Sequence, residues 1–404
     1  MKPAVRRQER RTARRPATTA TAAPVADPAR VARDLVAWYA RAKRDLPWRG
    51  SRDAYRVWVS EIMLQQTQVD RVKDYFARFV GRFPTVESLA AAEEHEVLRL
   101  WEGLGYYRRA RQLHAAARRV VAEHGGGFPR TAAGLRGLPG IGRYTAGAIA
   151  SIAWGRREPI VEANSRRVIA RLAGHDGRLD GSGGDEPIWR IAASLVPARS
   201  PGRFNQALMD LGAMVCTPEK PLCGTCPVAR HCRALATGRV AEIPAAKRRR
   251  AVETIRETAV VVRRGPRVLV VRRGPGEWWE GLWDFPRLPG PARAALRRIG
   301  GMPAAKQPRT PPEQGTRATA DGPLADLACA AATRIGRLAH SVTHHRIELD
   351  VVSCTAGAVG PPHARRRWVT AAGLARLAMT APGRRIARIA AGANAAGASG
   401  DAGG

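Results

Sequence analysis

Apolar positions recur at helical spacing through the first part of the chain. Val31, Leu35 and Tyr39 fall on one helical face, and Trp58 and Ile62 fall on another. Segments with the same period lie near 57–69, 87–101, 107–123, 131–136, 143–153, 165–173, 186–196 and 203–214, separated by short Gly/Pro joints. The pattern predicts an all-α region of roughly 200 residues.

The pattern changes after Pro244. The stretches TAVVVRRGPRVLVVRR and RIELDVVS contain β-branched runs, and Ile347, Leu349 and Val351 alternate strictly with polar residues. Such alternation predicts strands with one buried face. We therefore expect a multidomain protein, an all-α domain followed by a smaller α/β domain.

Composition sets the predicted domain limits. We predict a disordered basic arm over 1–27, a helical domain over 28–240 and a linker over 241–256. An α/β domain follows over 257–384, with a disordered insertion rich in Pro, Thr and Gly at 303–324, and a disordered Ala/Gly tail covers 385–404.

The net charge indicates which class of molecule the protein binds. The chain has 68 Lys and Arg against 34 Asp and Glu, a formal charge of +34. A field of this sign favours nucleic acid as partner. There is no apolar run of transmembrane length and no secretory signal, and cysteines are few, so we expect a reducing cytoplasm and no membrane contact. We also expect the protein to be a monomer.

Four cysteines lie close together with the spacing Cys216-x6-Cys223-x2-Cys226-x5-Cys232. Four thiolates this close indicate one metal centre with a structural role, since protein ligands fill all positions. Zinc and a [4Fe–4S] cluster both accept four cysteines, so the spacing alone leaves both open.

A glycine-containing turn precedes one predicted helix, in LPGIGRYTAGAIA. Gly140 and Gly142 permit close backbone approach, and exposed N–H groups at a helix start bind phosphate. Between two helices in a basic chain, this turn is typical of a helix-hairpin-helix, which grips the DNA backbone without reading sequence.

Two segments carry candidate catalytic carboxylates. Glu61 lies beside an apolar face in VWVSEIMLQQTQV, and burial there would favour a protonated carboxyl that can act as a general acid. Gln65 and Gln66 follow, and their amides can read base edges or fill a gap in the base stack. Glu162 lies in PIVEANSRRV, where an acid at a helix start is stabilised by the helix N-terminus. Glu162 is therefore either a helix-terminal charge or a catalytic group.

Together these motifs resemble the adenine DNA glycosylases of the MutY family, in the helix-hairpin-helix superfamily. The resemblance covers roughly Ala29 to Pro382 and rests on several long segments in the right order. They are LPWR, SEIMLQQTQV, LWEGLGYYRRARQL, LPGIGRYTAGAI, FNQALMDLGAMVC, the four cysteines and EWWEGLWDFP.

The resemblance implies a [4Fe–4S] cluster and excision of adenine from duplex DNA, where it is mispaired with 8-oxoguanine or guanine. It implies that the adenosine is flipped out and that Glu61 is the general acid at adenine N7. The family's second carboxylate is an Asp in D-G-N. Here Glu162 stands in E-A-N, and we predict that it keeps the role, while Ala163 argues against a positive φ in this turn.

Other positions follow from the resemblance. Tyr144 stands where strand-cutting members carry a lysine, which implies a monofunctional enzyme. Tyr106 and Gln66 match residues that hold the lesion strand and wedge into the stack. Residues that line the adenine pocket of the family are matched by Trp48, Arg49 and Gln206. For Trp48 and Gln206, packing in the core is the alternative.

The second domain resembles a Nudix fold without its metal-binding glutamates. The corresponding stretch GPARAALRRIGG has no carboxylate, so we expect a lesion-reading domain and not a hydrolase. The family's Phe-Ser-His loop aligns with Val342, Thr343 and His344, which keeps the hydroxyl and the imidazole but loses the aromatic ring.

Two other functions remain as alternatives. A bifunctional glycosylase/lyase of the endonuclease III kind needs an amine near Tyr144, which the sequence does not offer. A non-enzymatic iron–sulphur or zinc DNA-binding protein would explain the charge and the cysteines, but it leaves Glu61 and the reader domain without a role.

Overall fold

The computed structural model describes residues 25–177, 185–245, 251–292, 294, 327–359 and 364–398. Most of the predicted basic arm and all of the predicted insertion 303–324 lie outside these residues. So does most of the stretch that corresponds to the Nudix metal helix.

The helical region begins at Pro28 and contains twelve α-helices among its described residues. They are α1 (Pro28–Ala42), α2 (Ala54–Leu64), α3 (Val69–Arg82), α4 (Val86–Ala90), α5 (Glu94–Leu100), α6 (Arg108–His124), α7 (Ala132–Arg136), α8 (Arg143–Trp154), α9 (Ala163–Ala173), α10 (Glu186–Leu195), α11 (Pro201–Met214) and α12 (Arg233–Ala236). Two short 3₁₀ turns, Cys223–Thr225 and Ala229–His231, precede α12.

The C-terminal region contains a sheet and two further helices. The strands are β1 (Glu253–Arg264), β2 (Arg267–Arg272), β3 (Trp283–Asp284), β4 (Arg287–Pro289), β5 (Leu327–Val342), β6 (His345–Val359) and β7 (Arg366–Val369), and the helices are α13 (Ala371–Arg376) and α14 (Ala381–Ala398). The fold class predicted from the sequence is confirmed, an all-α region followed by an α/β region.

The chain divides into two compact units. The first contains residues 1–44 and 155–248, and the second contains residues 45–154 and 249–404. The predicted helical domain 28–240 is therefore shared between both units, because its central part, 45–154, packs with the C-terminal region. Sequence period identifies helices but carries no information on which helices share a core.

In the first unit, α1 packs against α10 and α11, and α9 packs against α10, α11 and α12. Helix α1 begins at the Asp27 cap, whose carboxylate accepts from the Arg30 N–H at 2.9 Å. At the other end of α1, Arg44 donates to the buried Asp210 of α11 at 2.6 and 2.9 Å. This ion pair fixes the chain as it leaves α1.

In the second unit, the helices enclose an aromatic core. Phe79 packs edge-on against Phe83 and Trp101, with ring centroids 5.2 and 6.0 Å apart. Leu282 and Ala378, from the C-terminal region, are buried in the same apolar cluster as these rings. One continuous core thus joins the helices of this unit to the sheet region.

The sheet is mixed, with strand order β3-β2-β1-β6-β5, and β4 and β7 pair with β1 and β2. Strands β1 and β6 run parallel, with Val261 opposite Ser353, and the other pairs are antiparallel. Apolar side chains cover both faces. Val261 and Leu349 lie in one cluster, and Val260 and Val352 lie in the other.

Two predicted limits are corrected. Strand β1 begins at Glu253, inside the predicted linker 241–256. Helix α14 continues to Ala398, well into the predicted tail 385–404. Ile386 and Ala390 are both buried, one helical turn apart, against the sheet. Small residues can pack closely, so an Ala/Gly-rich segment is not by itself a tail. None of the described helices is long and apolar enough to cross a membrane.

Candidate active site and cluster-binding loop

Helix α2 carries the first candidate acid. The Asp53 carboxylate caps the helix by accepting from the Tyr55 N–H at 2.9 Å. Trp58 and Ile62 then face the core, and Glu61 is carried inward with them, only 4% exposed. The apolar period that predicted the helix therefore also explains how a carboxyl comes to be buried.

Helix α8 holds this carboxyl in place. The Tyr144 hydroxyl, in the first turn of α8, donates to Oε2 of Glu61 at 2.5 Å. The next residue, Thr145, is buried and accepts from Nε2 of Gln65 at 3.3 Å. One polar side chain of α2 and one from the residue directly after it thus meet the first turn of α8. The sequence had not singled out Thr145.

The turn between α7 and α8 has the geometry expected of a hairpin. Gly140 has φ +75°, and a Cβ there would lie 2.8 Å from Cβ of Gln112, so only glycine fits. Gly142 is exposed with open space beside it and directly precedes α8. An anion can approach the helix start at Gly142 without steric hindrance.

Gln66 and Tyr106 share an uncommon backbone conformation. Their φ values are +57° and +49°, in the left-handed region that non-glycine residues seldom adopt. Both side chains are exposed, Tyr106 by 51%. Large polar and aromatic side chains held outward by strained turns are the kind of groups that probe a partner surface.

Trp48 and Arg49 are placed less favourably for a substrate contact. Trp48 is 5% exposed and meets the Phe76 ring edge-on at 5.4 Å. This position supports the packing alternative for Trp48. Arg49 is half-buried, and its backbone N–H donates to the Leu46 carbonyl at 2.8 Å.

Glu162, in the first unit, is the N-cap of α9. Its two carboxylate oxygens accept from the N–H groups of Asn164 at 2.8 Å and Ser165 at 2.7 Å. The Glu162 N–H in turn donates to Oγ of Ser165 at 2.8 Å, which completes a reciprocal capping box. Ala163 is an ordinary first helical residue and is not among the described residues with positive φ, as predicted.

Helix α9 also supports the cysteine loop. Arg167 donates to the carbonyls of Cys216 and Gly212, both at 2.7 Å. Arg171 donates to Sγ of Cys216 at 3.3 Å and to the Thr217 carbonyl at 2.7 Å. The helix that Glu162 starts therefore positions the first cysteine, a link that neither motif revealed alone.

The four cysteines surround one region of the first unit. Cys223 begins one 3₁₀ turn and Cys226 directly follows it, and Cys232 directly follows the other turn. Burial raises the pKa of Cys226 to about 11 and also raises that of Cys232. Buried thiolates need a compensating cation, so this donor set fits a metal centre. Among the described residues, no three of these Sγ atoms lie within 4.8 Å of one another.

Helix α1 ties down the same loop from its other side. The Asp34 carboxylate accepts from Arg230 at 2.7 Å and lies 3.0 Å from Nε2 of His231. The hydrogen bond from Arg230, followed by that from His231, lowers the pKa of Asp34. In the same unit, Oε1 of Gln206 accepts from the Tyr39 hydroxyl at 2.6 Å, so this predicted pocket residue is already oriented.

The predicted reader residues form the hairpin between β5 and β6. Thr343 has φ +54°, and its Oγ1 lies 3.4 Å from Nδ1 of His344. The His344 ring lies 4.0 Å from that of His345, which packs on Trp278 at 5.2 Å. Sequence reasoning did not connect His345 with Trp278, because this ring contact joins two segments that are far apart in the chain.

Comparisons with known proteins agree with this architecture. A model of the HhH-GPD superfamily base excision DNA repair proteins matches residues 59–183, and a NUDIX domain model matches residues 258–388. The two matches fall on the regions read from the sequence as the helical domain and the Nudix-like domain.

Among related proteins, an adenine DNA glycosylase of Rattus norvegicus is 41% identical over 316 residues, 65% of this chain and 61% of that protein. One from Buchnera aphidicola subsp. Schizaphis graminum is 34% identical over 255 residues, 63% of this chain and 74% of that protein. The chain thus spans less than two thirds of the rat protein. A thermostable thymine-DNA glycosylase structure is 30% identical, with a TM-score of 0.46, covering 51% of this chain and 95% of that one.

Proposed function

Because the chain belongs to the adenine DNA glycosylase family, we propose that it is a monofunctional glycosylase that removes adenine mispaired with 8-oxoguanine or guanine in duplex DNA. The observation that carries the proposal is the buried Glu61 carboxyl held at 2.5 Å by the Tyr144 hydroxyl at the start of α8. This contact joins the candidate acid to the hairpin suited to the DNA backbone.

The proposed chemistry begins with base flipping. A stacked adenosine hides its glycosidic bond, so the base must leave the helix at a cost of about a few kcal/mol. A buried carboxylic acid can then protonate N7, which makes adenine a better leaving group while C1′ gains cationic character. We assign that proton transfer to Glu61, oriented by Tyr144.

The absence of strand cleavage is part of the proposal. A lyase needs an amine that attacks C1′ to form a Schiff base. Tyr144 occupies the position after the hairpin, and a phenol forms no Schiff base. Lys73 is the one lysine in 45–154, and its Nζ lies 3.0 Å from the Asp70 carboxylate. These features favour hydrolysis by water.

We assign charge stabilisation at C1′ to Glu162. Its two oxygens are fixed by backbone N–H groups, which orients the carboxylate but leaves further lone pairs on each oxygen. A fixed anion suits electrostatic stabilisation of a developing cation. In this role the Glu162 carboxylate both caps α9 and stabilises the cation that develops at C1′.

We further propose that the cysteines hold a [4Fe–4S] cluster. The four cysteines of the first unit supply four thiolate ligands, the number that such a cluster takes. Membership of the adenine DNA glycosylase family favours the cluster over a zinc ion. Its role is structural, and reducing conditions, as in a cytoplasm, suit these thiolates.

Damaged duplex DNA is the proposed partner of a monomer. Thr343 and His344, on an exposed hairpin, offer a hydroxyl and an imidazole to the base opposite adenine. The net charge of +34 favours approach to the phosphate backbone. Both features support lesion reading.

The test is base release from duplexes carrying A opposite 8-oxoguanine, with A:G and A:T duplexes as comparisons. We expect alkali-dependent strand breaks at A:8-oxoguanine, fewer at A:G and almost none at A:T. Strand breaks without alkali, or a covalent product trapped by borohydride, would support a lyase. No base release from iron-loaded protein would refute the proposal. Metal analysis of the same preparation should find about four irons per chain and little zinc.

A further inference from the structure

Arg109, in the first turn of α6, is buried although the sequence suggests no role for it. Its guanidinium donates to carbonyls at the end of α2, with Nη1 2.7 Å from the Ile62 oxygen and 3.0 Å from the Met63 oxygen. The guanidinium also lies near the rings of Trp101 and Tyr106, at 5.4 and 5.6 Å from their centroids.

Carbonyl oxygens and aromatic faces compensate this charge. No carboxylate of the described residues pairs with Arg109. Desolvation by burial lowers the pKa of Arg109 to about 10, so the side chain is still charged at neutral pH. The C-terminal carbonyls of a helix carry partial negative charge, which suits a cation at this point.

The same guanidinium holds the turn at Gln66 from both sides. Nη1 donates to the Gln65 carbonyl at 2.5 Å, and Nη2 donates to Oγ1 of Thr67 at 3.2 Å. Gln66 lies between these two acceptors with its left-handed backbone. The hydrogen bonds therefore fix the two residues that determine its direction.

The turn at Tyr106 is held as well. Nη2 donates to the Gly105 carbonyl at 3.2 Å and to the Leu104 carbonyl at 3.4 Å, directly before Tyr106. One side chain thus joins two turns that are about forty residues apart in sequence, and each turn presents one exposed side chain in a left-handed conformation.

We propose that Arg109 is a positioning residue that couples Gln66 and Tyr106, so that both enter the DNA base stack as one preformed unit. The inference rests on the proposed function, in which these two side chains contact DNA. Left-handed non-glycine residues persist only where their surroundings enforce them. A planar fork with five donors can reach both turns at once, whereas a lysine ammonium cannot reproduce this geometry.

The first test needs no DNA. Amide hydrogen exchange is measured on the full-length, cluster-loaded protein, its Arg109→Lys variant and the control Arg108→Lys, which alters an exposed arginine one residue away. In Arg109→Lys we expect exchange in 62–67 and in 104–107 to rise together by about tenfold. If neither segment changes, or only one does, the coupling is refuted. If Arg109→Lys does not fold, the Thr67→Val variant is measured instead. The coupling then requires that amide exchange rise in 104–107 as well as in 62–67.

The second test measures flipping. Arg109→Lys should lower single-turnover excision from A:8-oxoguanine duplex by roughly 10- to 100-fold, with Arg108→Lys within about threefold of wild type. An adenine opposite a one-nucleotide gap needs less unstacking, so the Arg109→Lys defect should shrink there to less than about fivefold.

An equal defect on both substrates would mean that Arg109 acts on the chemical step, and the coupling role would be refuted. Failure of the proposed function is recognised separately, because wild-type protein would then release no base from either substrate. The hydrogen-exchange result stands apart from that outcome.

Discussion

Glu61 and Glu162 are the same amino acid in two opposite settings. Glu61 lies inside helix α2, buried, with a tyrosine hydroxyl on one oxygen. Glu162 lies at the start of α9, half-buried, with a backbone N–H on each oxygen. One carboxyl is thus oriented by a phenol from another helix, and the other by the backbone of the helix that it caps. The difference teaches that the surroundings of a carboxyl, and not its residue type, are what the two proposed roles rest on.

The largest expected effect comes from Glu61→Gln. An amide cannot deliver the proton, so single-turnover excision should fall by about 10²- to 10⁴-fold. Binding to a duplex with a non-cleavable adenosine analogue should change by less than about threefold, because the shape is kept. Glu123→Gln, on the surface of α6, is the control. A Glu61→Gln rate within tenfold of wild type would show that the proton comes from another group.

The second-largest expected effect distinguishes a catalytic Glu162 carboxylate from one that only caps α9. If the carboxylate stabilises the cation at C1′, Glu162→Gln should lower the excision rate by about 10²-fold. Glu162→Asp keeps the charge and the cap and should stay within about tenfold, a loss attributable to displacement of the carboxylate. Near-normal rates for both variants would leave Glu162 as a helix cap only.

A smaller effect is expected from Tyr144→Phe. The hydroxyl orients Glu61 but does not supply the proton, so the loss in excision rate should be about tenfold. Tyr75→Phe is a matched control, since its hydroxyl donates to the Glu102 carbonyl at 2.7 Å in the same unit. Should Tyr144→Phe match Glu61→Gln in severity, the phenol itself would be part of the proton transfer.

The smallest effect on catalysis is expected from Ser165→Ala, which breaks half of the capping box. Stability should fall by about 1 kcal/mol, seen as a lower denaturation midpoint by circular dichroism, with excision within about twofold of wild type. Thr85→Ala, at the other reciprocal cap on α4, should cost a similar amount. A loss of excision above tenfold in Ser165→Ala alone would mean that the cap geometry itself serves catalysis.

Much of the architecture could be read from the sequence. Helix period located α2, α8 and α9, alternation located β6, and the two glycines located the hairpin. The limits of these regions were harder to place. Strand β1 starts inside the predicted linker, because its first four residues are not buried and join the sheet through backbone pairing with β6. Ile386 extends α14 into the predicted tail, because single buried residues in a weakly patterned segment give little periodic signal.

The residues of the candidate site also fall into two groups, those that the sequence nominated and those that it missed. The sequence nominated Glu61 and the four cysteines on local chemical grounds, and Tyr144 through the family resemblance. It missed Arg109 and Thr145, and it left Trp48 open between the adenine pocket and core packing, where the structure packs this ring on Phe76. These outcomes depend on contacts between segments far apart in the chain, which local patterns do not contain.

By itself, then, the sequence determined which segments form most of the helices and strands, and it nominated the residues expected to carry chemistry. Local spacing is sufficient for the first, and side-chain chemistry together with the family resemblance is sufficient for the second. The tertiary structure alone decided that Glu61 meets Tyr144, that α9 joins Glu162 to the cysteine loop, and that Arg109 holds two distant turns. Those contacts arise from packing, in which close approach is set by the shapes of whole elements and not by any one motif.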